Sequence, residues 1–517
     1  MAYIRRMLSA GALALLASGT ASAAPADDTI VVGLSADVST LDPDQVDTRI
    51  DMNIAQHIFG TLYSVAQDGS IKPNLATGYE VSADGLEYTF SIKPGLTCED
   101  GEKLTAEDVA YSFTRGADPK NGFTGNTPGF VLESLEYKSA EAVDGLHVKI
   151  KLGKKSSIVL GMLSEAFIHC KDSYEKMSAE QASSKPIGSG SYRLVSWDRG
   201  SEVVLEKVKD PGVFKKIIFR VIPEPSTRTA ELIAGNVDIT TNVAPDQIQT
   251  INNSGTADVQ QVAGTRRIYV GFNLRDKFTG TKGGDAIKKP EVRRALQYAV
   301  DVPTICSQLL NFKCERASSL VNPPNDDPNL KPFPYDPAEA EKLLDAAGYP
   351  RGADGVRFEL KLQAPRGRYL NDANVAMAIG QYLSDIGVKT EVEALDWSSV
   401  FRPLMRKHEA GPLFFIGDGG SIWSAIYDMS ILPTVTAETN DTGWSDPNWF
   451  DSWAKIDAAK TPEEQRAVIN QMLKVFHDEG PWLLLYFQPD FYGVSKRIAW
   501  TARRDEHIDL FNASLAK

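Results

Sequence analysis

Apolar and polar positions change rhythm along this chain, and the changes mark its organisation. TIVVGLS (29–35) is a short apolar run ahead of the turn at Asp42-Pro43, which predicts a buried strand. YTFSIKPG (88–95) and LHVKIKL (146–152) alternate apolar and polar residues, as half-buried strands do. Between them Thr105 and Asp108 form a capping box that opens a helix. Residues 71–185 therefore read as a compact insertion. After Pro186, YRLVSW, VVLEKV and IIFRVI predict strands, STRTAELIAG a helix stopped at Gly235, and IYVGFNL (268–274) a closing strand.

From Lys289 helices alternate with strands. Pro290 begins a helix with Val292, Ala295, Leu296 and Ala299 on one face, broken at Asp301-Val302-Pro303. YDPAEAEKLLDAAGY (335–349) carries both ends of a helix. Asp336 is the cap, Pro337 the first position, Glu339 completes a box-like arrangement, and Gly348 is the left-handed stop. Ala340, Leu343, Leu344 and Ala347 form its apolar face. FELKLQA (358–364), a helix with Val375, Ala378, Ile379, Tyr382 and Ile386 on one side, and VKTEVEAL (388–395) make a βαβ unit, which requires a parallel strand pair. Strands at 482–488 and 491–494 precede a polar tail. The expected fold class is α/β, in about three domains at roughly 150 residues each.

The N-terminus changes the setting. Arg5 and Arg6 precede an apolar core from Met7 to Ala17, and Ala21-Ser22-Ala23 offers a cleavage site, so residues 1–23 read as an export signal. That core is too short for a bilayer, which takes roughly 20 residues. No cysteine stands at the cleavage site, so a soluble periplasmic protein is expected rather than a lipoprotein. In an oxidising compartment the four cysteines form disulfides. Three pairings are possible; the short spacing favours Cys306 with Cys314, which leaves Cys98 with Cys170. The net charge of −13 is well mixed along the chain and argues against nucleic acid or an anionic membrane as partner.

Candidate chemistry is sparse. The zinc-protease, P-loop, dinucleotide and nucleophile-elbow patterns are absent from the sequence. Ser173 and Lys176 match S-x-x-K without its partner motifs. His57, His147, His169, His408, His477 and His507 form no i, i+4 pair, and a His169-Cys170 metal site competes with a disulfide at Cys170. No cofactor is expected, and the residues point to binding rather than catalysis.

Six segments in order resemble the extracytoplasmic solute-binding proteins of peptide, nickel and opine ABC importers (family 5). They are 57–96 with 100–113, GSGSYRLVSW within 187–200, IPEPSTRTAELIAGNVDI (222–239), EVRRALQYAVD (291–301) and 335–349. Thr97-Cys98-Glu99 stand where relatives usually have an aromatic residue and His. The resemblance implies a periplasmic-binding-protein fold of two α/β lobes joined by a hinge, with an inserted domain. Lobe I would comprise 24–70, 186–283 and 493–517, the inserted domain 71–185, and the other lobe 284–492. It further implies hinge closure on a small solute and delivery to an inner-membrane permease, by a monomer.

By the same resemblance the solute sits near LFFIGDGGSIW (413–423). Gly417-Asp418-Gly419-Gly420 reads as a turn at a strand's end, and Asp418 matches the aspartate that pairs with the α-amino group in peptide-binding relatives. The alternative is a hydrated Asp-Gly turn. Trp397 matches a family position near the ligand, and Trp423 would add a second aromatic wall; core packing explains either equally well. Arg366 and Arg368 would meet a ligand carboxylate or remain solvated. SIWSAIYDMS (421–430) replaces the Pro-Asp-rich stretch usual in peptide binders, which points away from an ordinary dipeptide or oligopeptide. The expected solute is peptide-like or amino-acid-derived, a short peptide or an opine. A nickel-chelate carrier, and a sensor or hydrolase on the same lobes, are the alternatives.

Overall fold

The computed structural model describes residues 25–323, 325–420 and 422–517. The export segment 1–23 lies outside the described residues. No described helix is long and apolar enough to cross a membrane.

Among the described residues ten strands form the principal sheet: β1 (Thr29–Leu34), β2 (Tyr192–Asp198), β3 (Glu202–Lys207), β4 (Lys216–Val221), β5 (Ile239–Thr240), β6 (Ala257–Phe272), β7 (Phe358–Arg366), β8 (Val388–Asp396), β9 (Leu413–Gly419) and β10 (Trp482–Ser495). Their order is β2-β3-β4-β1-β5-β10-β6-β9-β7-β8. β1 runs parallel to β4 and β5, whereas β7 runs parallel to β8 and β9. The βαβ unit is present: α2 (Asp372–Asp385) crosses between β7 and β8 and buries Val375, Ile379 and Leu383. The preceding α1 (Arg49–Ile58) is capped by Thr48, whose side chain accepts from the Asp51 N–H.

β6 and β10 hold the two halves of the sheet together. Residues 257–262 of β6 pair with 490–495 of β10, beside β5; residues 266–271 pair with 482–488, beside β9. The register shifts between these stretches. The sequence predicts only 268–274 in this region and two separate strands near the C-terminus, whereas the structure has two long continuous strands. Pro489 lies between the two predicted stretches, and proline cannot donate to a ladder. It falls opposite the register shift, where no ladder hydrogen bond is required of it. Gly264 occupies the same crossing, and a Cβ there would lie 2.1 Å from the Gln488 carbonyl oxygen.

Within 71–185, strands 76–81, 87–92, 147–152 and 137–142 make an antiparallel sheet, covered by helix 106–117 with its Thr105–Asp108 capping box. Cys98–Cys170 and Cys306–Cys314 are both disulfide-bonded, which also disposes of the His169-Cys170 metal site. The Asp301 break becomes a start: Asp301 accepts from the Thr304 N–H and caps helix 302–309. Helix 337–346 keeps its ends, with Asp336 accepting from the Glu339 N–H and Gly348 at φ +89°.

One apolar core gathers Ile30, Val32, Leu205, Phe219, Ile239 and Val494. A larger one runs from Phe90 and Val109 to Leu362, Phe415 and Leu485.

Candidate functional site

A cavity of about 220 Å³ opens between α1, the inserted segment, and the β6–β9 half of the sheet. Its lining contains six arginines (Arg49, Arg266, Arg267, Arg368, Arg402 and Arg406) and no histidine or cysteine among the described residues. Five of the seven residues expected at the ligand line it: Trp397, Arg368, Gly417, Asp418 and Gly419. Trp423 is displaced from it, half exposed, with Arg504 over its ring at 5.0 Å. Arg366 is exposed, donates to the Ala394 carbonyl at 3.3 Å, and faces a separate groove.

Asp418 corrects the reading of its segment. It belongs to β9 rather than to a turn, and stands directly opposite Arg267 of β6. Arg267 Nε donates to Asp418 Oδ2 at 2.6 Å, while the same guanidinium lies 3.2 Å from Asp428 and donates to the Leu320 carbonyl. Burial pushes the Asp428 carboxyl up to about 6, against the opposing pull of Arg267. Two carboxylates thus share one buried guanidinium, leaving one surplus negative charge when both are ionised.

Gly417 and Gly420 are required by packing, whereas a Cβ at Gly419 would meet only ordinary contacts at 3.6 Å or more. A Cβ at Gly417 would lie 2.4 Å from Ile268 Cδ1, and one at Gly420 would lie 2.4 Å from Asp428 Oδ1. The Gly417 carbonyl accepts from the Tyr369 hydroxyl at 2.8 Å and from Arg266 Nη1 at 3.1 Å.

On the other side of Gly417 the balance is positive. Arg266 makes a bidentate pair with Glu506, and Arg368 approaches the same carboxylate only at 3.7 Å. Desolvation lowers the Arg368 pKa, and repulsion from Arg266 adds to it. Arg49 lies 3.7 Å from Glu165 and also donates to His507 Nε2 at 2.7 Å. Burial holds the His507 pKa near 3, so its ring is neutral and its Nδ1–H donates to Gln56. Desolvation, with repulsion from Glu506, pushes the buried Asp490 well above the ordinary carboxylate value, which favours its neutral form. Three guanidiniums therefore face the two carboxylates of Glu506 and Glu165. Glu506 itself has φ +60°, a strained backbone of the kind found at functional sites.

Arg368 is held in place by its loop. Asp372 accepts the N–H groups of Arg368 and Tyr369 at 2.9 and 3.0 Å, and Leu370 N–H donates to Gln488 of β10. The guanidinium lies over Tyr369 and Trp397, which meet edge to face. Sequence reasoning missed Arg49, Arg266, Arg267, Arg402, Glu165 and Glu506. Arg266-Arg267 carried a detectable signal: two adjacent charges in front of an apolar strand run.

Similarity to known proteins agrees with this architecture. The family model described as "Bacterial extracellular solute-binding proteins, family 5 Middle" matches residues 70–439, well over half of the chain. The glutathione-binding protein GsiB of Shigella dysenteriae is 25% identical over 504 residues, covering 94% of each chain. The periplasmic binding protein DppA of Helicobacter pylori, solved with the peptide STSA, superposes with a TM-score of 0.83 at 21% identity, over 95% of this chain and 98% of its own. AgaA of A. tumefacien R10, solved with agropinic acid, also gives 0.83, at 24% identity over 95% and 99%. Their shared fold is that of periplasmic binding proteins, and the chain belongs to the bacterial extracellular solute-binding proteins of family 5.

Proposed function

We propose that this protein captures a small zwitterionic solute, peptide-like or amino-acid-derived, in the cavity between its lobes and delivers it to a membrane permease. The lobes would be the β1–β5 half and the β7–β9 half, with 71–185 inserted in the first and β6 and β10 as the hinge. Arg368 carries the reading. It is buried, hydrogen-bonded by its side chain to no described residue, and its nearest acid is already engaged by Arg266. A buried cation that must share its acid with a second, hydrogen-bonded guanidinium is incompletely compensated, and a solute carboxylate relieves that cost.

Asp418, on the side of Gly417 where negative charge is in surplus, takes the solute's amine. Trp397 and Tyr369 supply the apolar wall beside the carboxylate. GsiB's glutathione, DppA's peptide and AgaA's agropinic acid fall within the same chemical range, which supports the class but not a member of it.

Mild extraction of the purified protein followed by mass spectrometry identifies whatever solute it carries. Titration calorimetry with that solute then tests the anchors. Arg368→Gln is expected to weaken a carboxylate-bearing solute by roughly tenfold or more, and Asp418→Ala an amine-bearing one similarly. Unchanged affinity in either variant removes that anchor, and an extracted solute lacking a carboxylate overturns the reading.

A further inference from the structure

Some contacts across the cleft are made by the protein's own charges. Asp47 stands just ahead of α1, and Arg402 and Arg406 lie on α3 (Arg402–Arg406), more than 350 residues further along the chain. All three line the cavity. Asp47 Oδ2 accepts from Arg402 Nε at 3.1 Å and Nη2 at 2.5 Å. It also accepts from Arg406 Nε at 3.0 Å, with Arg406 Nη2 at 2.7 Å. The Asp47 side chain is 5% exposed, against 24% and 35% for the two arginines. Burial alone would raise its pKa, yet the two guanidiniums hold it below the ordinary carboxylate value.

A second contact crosses nearby, where the Tyr427 hydroxyl donates to Glu165 Oε2 at 2.7 Å. It joins the segment after β9 to the inserted segment.

We infer that Asp47, Arg402 and Arg406 form a charge latch that stabilises the closed cleft without help from the solute. The carboxylate comes from one side of the cleft and both cations from the other, so separating the halves returns all three side chains to water. In the closed cleft the carboxylate is withdrawn from solvent and doubly compensated, where charge-assisted hydrogen bonds are strong and a missing partner is expensive. The solute-free protein therefore samples the closed form. The latch sets how long the cleft stays shut and leaves the choice of solute to the groups around Gly417.

The test needs no knowledge of the solute. Spin labels on cysteines introduced at Val195 and Met377, exposed residues of β2 and α2, report the separation of the halves in protein stripped of solute by unfolding and refolding. The expected result is a short-distance population in the otherwise wild-type protein. Asp47→Asn, or Arg402→Gln with Arg406→Gln, should reduce the ratio of closed to open by roughly tenfold. Combining the substitutions should add little, because they remove one shared interaction. A solute-free protein that is entirely open overturns the latch, as do variants whose distance distributions match the unsubstituted protein. If Asp47→Asn does not fold, the arginine pair, being partly exposed, supplies the same readout.

Discussion

Asp418 shows how much a neighbour decides at the scale of one residue. Its carboxylate stands in strand register with Arg267, which also serves Asp428, so its charge is shared before any solute arrives. Asp428 rests near a pKa of about 6. Below that pH it is neutral, Arg267 fully offsets Asp418, and the local charge falls from −1 to zero. The affinity for an amine-bearing solute is therefore expected to drop as pH falls through about 6, measurable by calorimetry between pH 5 and 7.5. A solute held only by its carboxylate should show no such step. Gly417 makes a steric demand instead. Its Cβ would strike Ile268 and Tyr369, so Gly417→Ala should cost about 1–3 kcal/mol by thermal or denaturant melting. It should also weaken binding, because the same carbonyl orients Arg266 and Tyr369.

At the scale of elements, β6 and β10 carry the connection between halves, and their weak point is the register shift at 263–265. Gly264→Ala would press a methyl group onto the Gln488 carbonyl, which is backbone and cannot swing away. Loss of about 2 kcal/mol or more is expected, with a changed distribution of open and closed forms in small-angle scattering. The disulfides differ in what they constrain. Cys98–Cys170 closes a loop 72 residues long and Cys306–Cys314 one of 8. Chain entropy puts their contributions at roughly 4 and 2.5 kcal/mol, so the Cys98→Ser/Cys170→Ser variant should melt at the lower temperature. Much of this level was legible beforehand. The caps at Thr105 and Asp336 and the βαβ unit involve residues a few positions apart, and their signals lie within one turn or one strand. The continuity of β10 across Pro489 was not legible, because it depends on what lies opposite in β6.

At the scale of the whole molecule, buried carboxyls set the pH response. Asp51 and Asp428 are pushed up to about 6, and Glu99 to about 7, chiefly by desolvation. Groups raised in the folded state add stability that is fully present below their unfolded pKa near 4 and lost as pH rises through 6 to 7. Asp505 and Glu506 are held near 2 by their cationic neighbours despite burial, and their contribution is present above about 4 and lost as pH falls through 2. His57 and His507, held neutral by burial with pKa values of about 4 and 3, add stability above about 6.5 that is lost as pH falls through those values. The melting temperature should therefore be higher at about pH 5 than at pH 8, and should decline again on the acid side. A monotonic rise from pH 4 to 8 would contradict these assignments.

The sequence by itself determined many of the elements, apart from the full length of β6 and β10, the cysteine pairing it favoured and, through ordered segments, the family. Those properties reside in contacts between near neighbours or in residue types strung along the chain. The tertiary structure alone decided which charges meet. Arg266 and Arg368 gather around Glu506, Arg49 meets Glu165, and Asp47 finds Arg402 and Arg406, across separations of more than a hundred residues. Partner choice there follows from strand register and lobe closure, and a guanidinium in a string of letters carries no mark of the carboxylate it will face.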